Sequence, residues 1–402
     1  MEINVGPADT IMIACLVLFL GKYINKKVSF LREFNIPEPV TGGVIFSFLF
    51  GILYFLTGIQ LSFALDLRDA LLIIFFITIG LSSRLKTLLQ GGKSLFVLLV
   101  LAVGYLFIQN LTGVGISTLF GLSPATGILG GSVSFSGGHG TTIAWAPIFQ
   151  EDHGISNAME LGIACATIGL VLGGLIGGPI AKFLINRNKL APKEEKPITV
   201  GVRHEKGDET QITYNNALQM IYVIFSTAGI GIGINALIAY LGLALPDFVT
   251  ALFAGIIVTN LIPVLFKKVG WHPEKSKSLA LASDLSLGLF LAMSLMSLQL
   301  WTLVDLAGPL LLIVLAQVMV ISLFVILVVF RVMGKDYDAA VMSAGYAGLA
   351  LGATPTAIAN MTAVTKKFGG SPKAFIIVPL VGAFFIDLSN ALIIKFLLSV
   401  FS

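Results

Sequence analysis

One carboxylate stands alone near the middle of a long apolar run: Asp387, in AFFIDLSNAL, with Asn390 three residues later on the same face of a helix. A charge at that depth in hydrocarbon is costly and marks an ion or substrate path. Two other stretches are polar where their surroundings are not. SFSGGHGTT carries Ser134, Ser136, Thr141 and Thr142 with backbone amides at Gly137, Gly138 and Gly140, and GATPTAIAN carries Thr354, Thr356 and Asn360. Gly, Pro, Ser and Thr break helices at both places, and irregular backbone at membrane depth persists only where protein or a water-filled cavity satisfies its polar groups. Such loop tips are binding surface.

The elements that position them follow from composition. Of 402 residues 56% are hydrophobic and 11% charged, and mean hydropathy is +0.96; a soluble domain has about 25% charged residues. Hydropathy gives ten spans, at about Ala8 to Ile24, Pro39 to Gly58, Ala70 to Leu85, Leu95 to Phe120, Met159 to Ile185, Leu218 to Leu241, Phe248 to Phe266, Leu279 to Leu298, Val304 to Phe330 and Ala374 to Val400. Met1 to Leu20 lacks the basic stretch of a signal peptide and is expected to be a retained first helix. Ala125 to Phe149 and Ala339 to Val364 are too interrupted to be straight spanning helices.

Lys and Arg decide whether those two segments cross, because short basic loops stay in the cytoplasm. If neither crosses and both termini lie outside, every Lys and Arg except Arg68 and Lys395 is cytoplasmic. Both segments are therefore expected to be re-entrant. An offset of 209 to 215 residues also aligns the halves: IPEPVT at Ile36 with LPDFVT at Leu245, Asp69 and Phe75 with Asp284 and Phe290, Gly138 and Thr142 with Gly352 and Thr356, AKFL at Ala181 with IKFL at Ile394. With five spans per half, the second half enters the membrane inverted. The expected fold is an all-α integral membrane protein with two inverted-topology repeats, 1–186 and 217–402, each of five transmembrane helices plus one re-entrant segment, joined by a polar cytoplasmic linker at 187–216. Inverted repeats with broken segments at matching positions are the pattern of secondary transporters.

Other chemistries fit poorly. Gly92, Lys93 and Ser94 resemble the end of a phosphate-binding loop, but Thr87 stands where its first glycine belongs. His139 is the only histidine in an apolar segment and has no companion at metal-ligand spacing. Ser136 follows Ser134 and Phe135, which is no protease nucleophile turn, and the +4 charge forms no aromatic-interleaved stripe for nucleic acid. No enzyme, no nucleic-acid partner and no cofactor are expected. Cys15 and Cys165 read as buried small side chains. Gly169, Gly173 and Gly177 make a smooth helix face for close packing, and Asp69 and Asp284 are expected at helix starts as caps.

In IPEPVTGG from Ile36, FFITIGL from Phe75, SFSGGHGTTIAW from Ser134, ACATIGLVLGGLIGGP from Ala164, GKDYDAAVMSAG from Gly334, GATPTAIANM from Gly352 and VGAFFIDLSNALIIK from Val381, the chain resembles the bacterial sodium/glutamate symporter family. The resemblance covers nearly the whole chain. It implies sodium-coupled uptake of L-glutamate across the inner membrane, with sodium as the coupling ion. The tips Ser134, Ser136, Gly137, Gly138, His139, Gly140, Thr141 and Thr142, with Thr354, Thr356 and Asn360, would hold substrate, and Asp387, Asn390 and Thr354 would hold sodium. It also implies a homodimer in the lipid bilayer whose broken segments move as a unit. A proton-coupled carrier, or one for dicarboxylates or other organic anions, is the alternative. One sodium with one glutamate anion would move no net charge and so forgo the membrane potential, worth about 2.3 kcal/mol per charge per 100 mV.

Overall fold

The computed structural model describes residues 2–33, 36–83, 85–192, 213–241, 245–265, 276–298 and 307–401. In chain order the elements are β1 (Glu2–Val5), α1 (Pro7–Lys27), α2 (Ser29–Glu33), α3 (Glu38–Thr57), β2 (Gln60–Phe63), α4 (Asp66–Ser82), α5 (Leu85–Leu119), α6 (Pro124–Ile128), a π-turn at Leu129–Val133, α7 (Gly138–Glu151) and α8 (Ala158–Asn188). The second half has α9 (Tyr214–Tyr240), α10 (Asp247–Leu265), α11 (Lys277–Met296), α12 (Ala307–Phe324), a second π-turn at Val325–Val329, α13 (Phe330–Val332), α14 (Tyr337–Leu351), α15 (Thr354–Phe368), α16 (Pro372–Phe384) and α17 (Ile386–Phe401). Among the described residues seven helices are long and apolar enough to cross a membrane, or eight if the bent pair α16 and α17 counts as one. Of the ten expected spans, α4 with its 17 residues reaches only about 25 Å at 1.5 Å per residue. The apolar part of α10, Asp247–Pro263, is equally short.

Helices dominate, as composition demands, with one exception that no hydropathy window would find. β1 and β2, four residues each, pair in parallel from Glu2 with Gln60 to Val5 with Phe63. The expected linker lies mostly at residues 193–212, outside the described residues, and its flanks are helical, since α8 runs to Asn188 and α9 begins at Tyr214.

The described chain forms two compact units. The first contains α1, α3, α4, α9, α10 and α11. Its helices touch where side chains are smallest. A Cβ on Gly42 of α3 would strike the Val17 carbonyl of α1, one on Gly43 would strike Leu295 of α11, and one on Gly80 of α4 would strike the Leu252 carbonyl of α10. Thr259 donates to the Leu81 carbonyl at 2.8 Å and Asn260 to that of Ser83 at 2.8 Å, closing the end of α4 onto α10. Ile77, Leu81, Met220, Ile224, Ala251, Val258 and Leu279 form its apolar centre. The expected caps are corrected here. Asp284 lies well inside α11, which starts at Lys277, and is exposed; Asp69 is in the first turn of α4, pairing with Arg68 at 2.7 Å, while Leu65 takes the cap position.

The second unit contains α5 to α8 and α12 to α17. Tyr105, Phe324 and Tyr346 stack in its interior, the first two with ring centroids 4.8 Å apart. The smooth face of α8 serves close packing, as expected: a Cβ on Gly169 would lie 2.5 Å from the Leu351 carbonyl oxygen, and one on Gly177 would strike Asn360. Cys165 is buried, whereas Cys15 in the first unit is only half-buried.

Candidate functional site

The site lies within the second unit and is made of three interruptions in helix. In the first broken segment, Ser123 caps α6, accepting from the Ala125 amide, and Pro124 fits the first helical position. After one turn the backbone unwinds, with Gly130 and Gly131 outside helical dihedrals. It re-enters helix at Gly138, whose φ of +66° is the left-handed conformation that favours glycine. The freed backbone groups are met by amide side chains from three other helices. Asn110 of α5 accepts from the Ser132 amide at 3.0 Å and donates to Ser132 Oγ at 2.7 Å. Gln317 of α12 donates to the carbonyls of Gly130 at 3.2 Å and Gln109 at 2.8 Å, and Asn390 of α17 donates to that of Ser132 at 2.9 Å. This is what unwound backbone inside a membrane requires.

The second broken segment is simpler. α14 stops at Leu351, Gly352 turns the chain, and α15 starts at Thr354 with Pro355 in its first turn. Gln109 donates to the Ala350 carbonyl at 2.9 Å. The two tips meet, since the position a Cβ would take on Gly138 lies 3.5 Å from the Gly352 carbonyl oxygen. Neither α7 nor α15 has a side-chain N-cap, so two helix N-termini with free amides stand together there.

The third interruption lies within the expected last span, Ala374 to Val400. α16 ends at Phe384, α17 begins at Ile386, and their axes bend by 42°. Asp387 sits in the first turn of α17, half-buried, and its carboxylate has no hydrogen bond or ion pair among the described residues. The position of a Cβ on Gly382 is 2.7 Å from Thr354 Oγ1, so the second tip adjoins the end of α16.

The expected site residues divide by what their polar atoms already do. Gly137, Gly138 and Gly140 are half-buried with backbone in reach, and Thr141 is 6% exposed. Ser134 donates to the Leu129 carbonyl at 2.6 Å and Thr142 to that of Gly138 at 2.7 Å, so both hydroxyls face inward. His139 is buried, its Nε2 3.0 Å from Thr167 Oγ1; because that hydroxyl donates to the Ile163 carbonyl, the imidazole donates through Nε2. Asn360 turns away from the tips and donates to the carbonyls of Gly173 at 2.9 Å and Ala344 at 3.3 Å, tying α15 to α8 and α14. Thr356 is fully buried, and its hydroxyl has no partner among the described residues.

Sequence reading missed Gln109, Asn110 and Gln317, all fully buried. A signal was available. Each is a polar residue within an apolar span, and Gln109 and Gln317 are 208 residues apart, next to the range of the internal repeat. Neither broken segment has a cation, since no Lys or Arg occurs between Lys93 and Lys182 or between Lys335 and Lys366.

The profile of the family described as sodium/glutamate symporter matches residues 3–370. The chain is 43% identical over 387 residues to a sodium/glutamate symporter of Escherichia coli (strain K12), covering 96% of each chain. It is 42% identical over 398 residues to one of Haemophilus influenzae, covering 98% of each.

Proposed function

The chain belongs to the sodium/glutamate symporter family, and from that membership we propose that it carries L-glutamate together with sodium into a bacterial cell. The observation that carries the mechanism is the meeting of two uncapped helix N-termini at Gly138 and Gly352 in a region without Lys or Arg. A carboxylate substrate needs charge compensation, and first-turn amides with the positive helix ends supply it at a site that small residues let it approach. Substrate is bound by the two tips, chiefly the Gly137 to Gly140 backbone, Ser136, Thr141 and the start of α15 at Thr354 and Thr356. His139, Ser134, Thr142 and Asn360 hold the tips in shape.

Sodium, a hard cation that prefers oxygen, is held at the break in the last span. Asp387 supplies the charge, Asn390 lies about one helical turn further along α17, and Thr354 Oγ1 stands beside Gly382 near the end of α16. Asn390 donates through its nitrogen to the Ser132 carbonyl, and its oxygen has no partner among the described residues. Substrate and ion sites therefore share the second tip and the first break, which makes binding of one favour the other.

The repeat is inverted, each half contributing three helices to the first unit and a helix, a re-entrant segment and a last span to the second. Paired contacts support this. Gly43 meets Leu295 while its mate Leu252 meets Gly80, which is the mate of Leu295 at the offset of 215. Gly138 and Gly352 are mates that meet each other, in keeping with a twofold relation between the halves, and Gln317 donates to the carbonyl of Gln109, 208 residues earlier. Among the described residues the breaks in the two broken segments and the last span lie in the second unit, the division expected of a carrier body and a frame. The working form is a homodimer in the inner membrane with both termini outside the cytoplasm. The test is labelled glutamate uptake into proteoliposomes with sodium or choline outside; uptake that ignores the exchange, or follows a proton gradient, refutes the reading.

A further inference from the structure

Ser136 differs from the other serines of its segment. Ser132 and Ser134 are fully buried, whereas Ser136 keeps 9% of its surface, two residues from the Gly138 to Gly352 junction. Its hydroxyl has a defined direction. Gln109 donates through Nε2 to the Ala350 carbonyl, which can only accept, so the amide cannot be flipped and Gln109 Oε1 must face Ser136. An amide oxygen also only accepts, so Ser136 donates its single proton there, with the Ala350 carbonyl 3.3 Å away as the other acceptor. Ser136 Oγ therefore has only lone pairs left to offer a ligand. Gln109, Ala350 and Gly352 are themselves buried, so the acceptor presented on this side of the junction is Ser136 Oγ, next to the donor amides from Gly137 to Gly140.

We infer that Ser136, oriented by Gln109, forms a subsite for the α-ammonium group of the substrate, beside the amide-lined place for its carboxylates. This rests on the glutamate reading above and deepens it. A carboxylate at Ser136 would face oxygen with oxygen, whereas an ammonium presents three donors. The subsite thus selects an amino acid over a dicarboxylic acid of equal length, and Gln109 is the positioning residue. Sodium would also suit an oxygen acceptor at Ser136, so the experiment separates the two cations.

Sodium-driven uptake of labelled glutamate into proteoliposomes is inhibited with unlabelled L-glutamate or with glutarate, which has the same chain and no ammonium. In Ser136→Ala the inhibition constant of glutamate should rise roughly ten- to hundredfold, the range for a hydrogen bond to a charged group, while that of glutarate changes less than about twofold. Ser136→Thr keeps the hydroxyl and should retain most of the preference. Gln109→Met leaves the Ser136 hydroxyl only the Ala350 carbonyl at 3.3 Å, so its direction is no longer fixed and the gap between the two inhibitors should narrow. Equal weakening of both inhibitors in Ser136→Ala, or a shift in sodium dependence at unchanged glutamate preference, overturns the subsite. Should Ser136→Ala not reach the membrane, Gln109→Met and Ser136→Thr decide by the same ratio. Failure of the wild-type protein to take up glutamate with sodium would instead refute the broader reading.

Discussion

The break of the first half spreads from Leu129 to Gly137 and is stitched by Asn110, Gln317 and Asn390 from three other helices, whereas that of the second half is confined to Gly352 and Ala353 and receives one such amide, from Gln109. The repeat mates Thr142 and Thr356 follow the same division. Thr142 donates to the Gly138 carbonyl, while Thr356 is buried with its hydroxyl unmatched among the described residues. A stretch of irregular backbone is costly unless each amide and carbonyl is met, so the long break needs a fixed set of partners and becomes rigid. The short break needs few and keeps a polar group available. We read the first tip as the preorganised half of the site and the second as the adjustable half.

Interference where the tips touch should have the largest effect. Gly138→Val places a β-branched residue at a φ of +66° and pushes its γ-carbons toward the Gly352 carbonyl. Uptake per unit of protein in the membrane should fall at least roughly a hundredfold, equivalent to about 2.7 kcal/mol. Gly138→Ala carries the backbone strain without the γ-carbons and should fall between. Equal uptake in the two variants would show that the tips do not act on each other. Next comes the stitching. Asn110→Leu leaves the Ser132 amide and hydroxyl without Asn110 in a dry interior and should lower stability by about 1–3 kcal/mol, read as a lower unfolding temperature in detergent. Gln109→Leu removes its bonds to the Ala350 carbonyl and from Ser136, but those two groups stand 3.3 Å apart and can pair with each other, so it should lower stability less; the reverse order would undo the comparison.

Much of the architecture was legible because hydrocarbon allows few solutions. Most of the expected spans, the helix interruptions in the two polar segments and the glycine face of α8 follow from apolar length, helix-breaking residues and spacing. The misses have physical causes too. The bend at Phe385 did carry a sequence signal, Pro379 and Gly382 just before it, but the unbroken apolar run from Ala374 to Val400 hid it from hydropathy. Asp284 looked like a cap because a Ser precedes it, yet the helix had begun at Lys277. Asn110 and Gln317 went unread because a lone amide in a span signals burial, and only the fold reveals which carbonyl it meets. For the site itself, residue types located the tips, but hydrogen-bond direction, which separates Ser136 from Ser134, required coordinates.

The break in the last span belongs to neither tip alone, and Asp387 tests what it does. Asp387→Asn keeps shape and removes charge, so the sodium concentration for half-maximal uptake should rise roughly tenfold, or about 1.4 kcal/mol. At saturating sodium the preference for glutamate over glutarate should not move, because the ammonium is held elsewhere. An unchanged sodium dependence would remove Asp387 from the ion site, and a lost preference would assign it the ammonium instead.

The smallest effect discriminates the two halves most directly, because it concerns mates at an offset of 214 that carry the same side chain. Valine replaces threonine with nearly equal volume, so packing is preserved and only the hydroxyl is lost. At Thr142 that hydroxyl makes a 2.7 Å bond to the Gly138 carbonyl, and Thr142→Val should cost about 1 kcal/mol of stability. At Thr356 the hydroxyl is fully buried without a partner among the described residues, so Thr356→Val removes an uncompensated polar group and should leave stability unchanged or raise it by about 1 kcal/mol. Transport should respond in the other sense at Thr356. There the half-saturating glutamate concentration should rise about threefold, because the adjustable tip has lost the group it offers to a ligand, equivalent to roughly 0.6 kcal/mol. Unfolding temperatures and uptake curves for both variants suffice. A gain in stability with a loss in affinity at Thr356, against a loss in stability at Thr142, is the expected signature; equal destabilisation of both would mean that the two halves hold their tips by the same means.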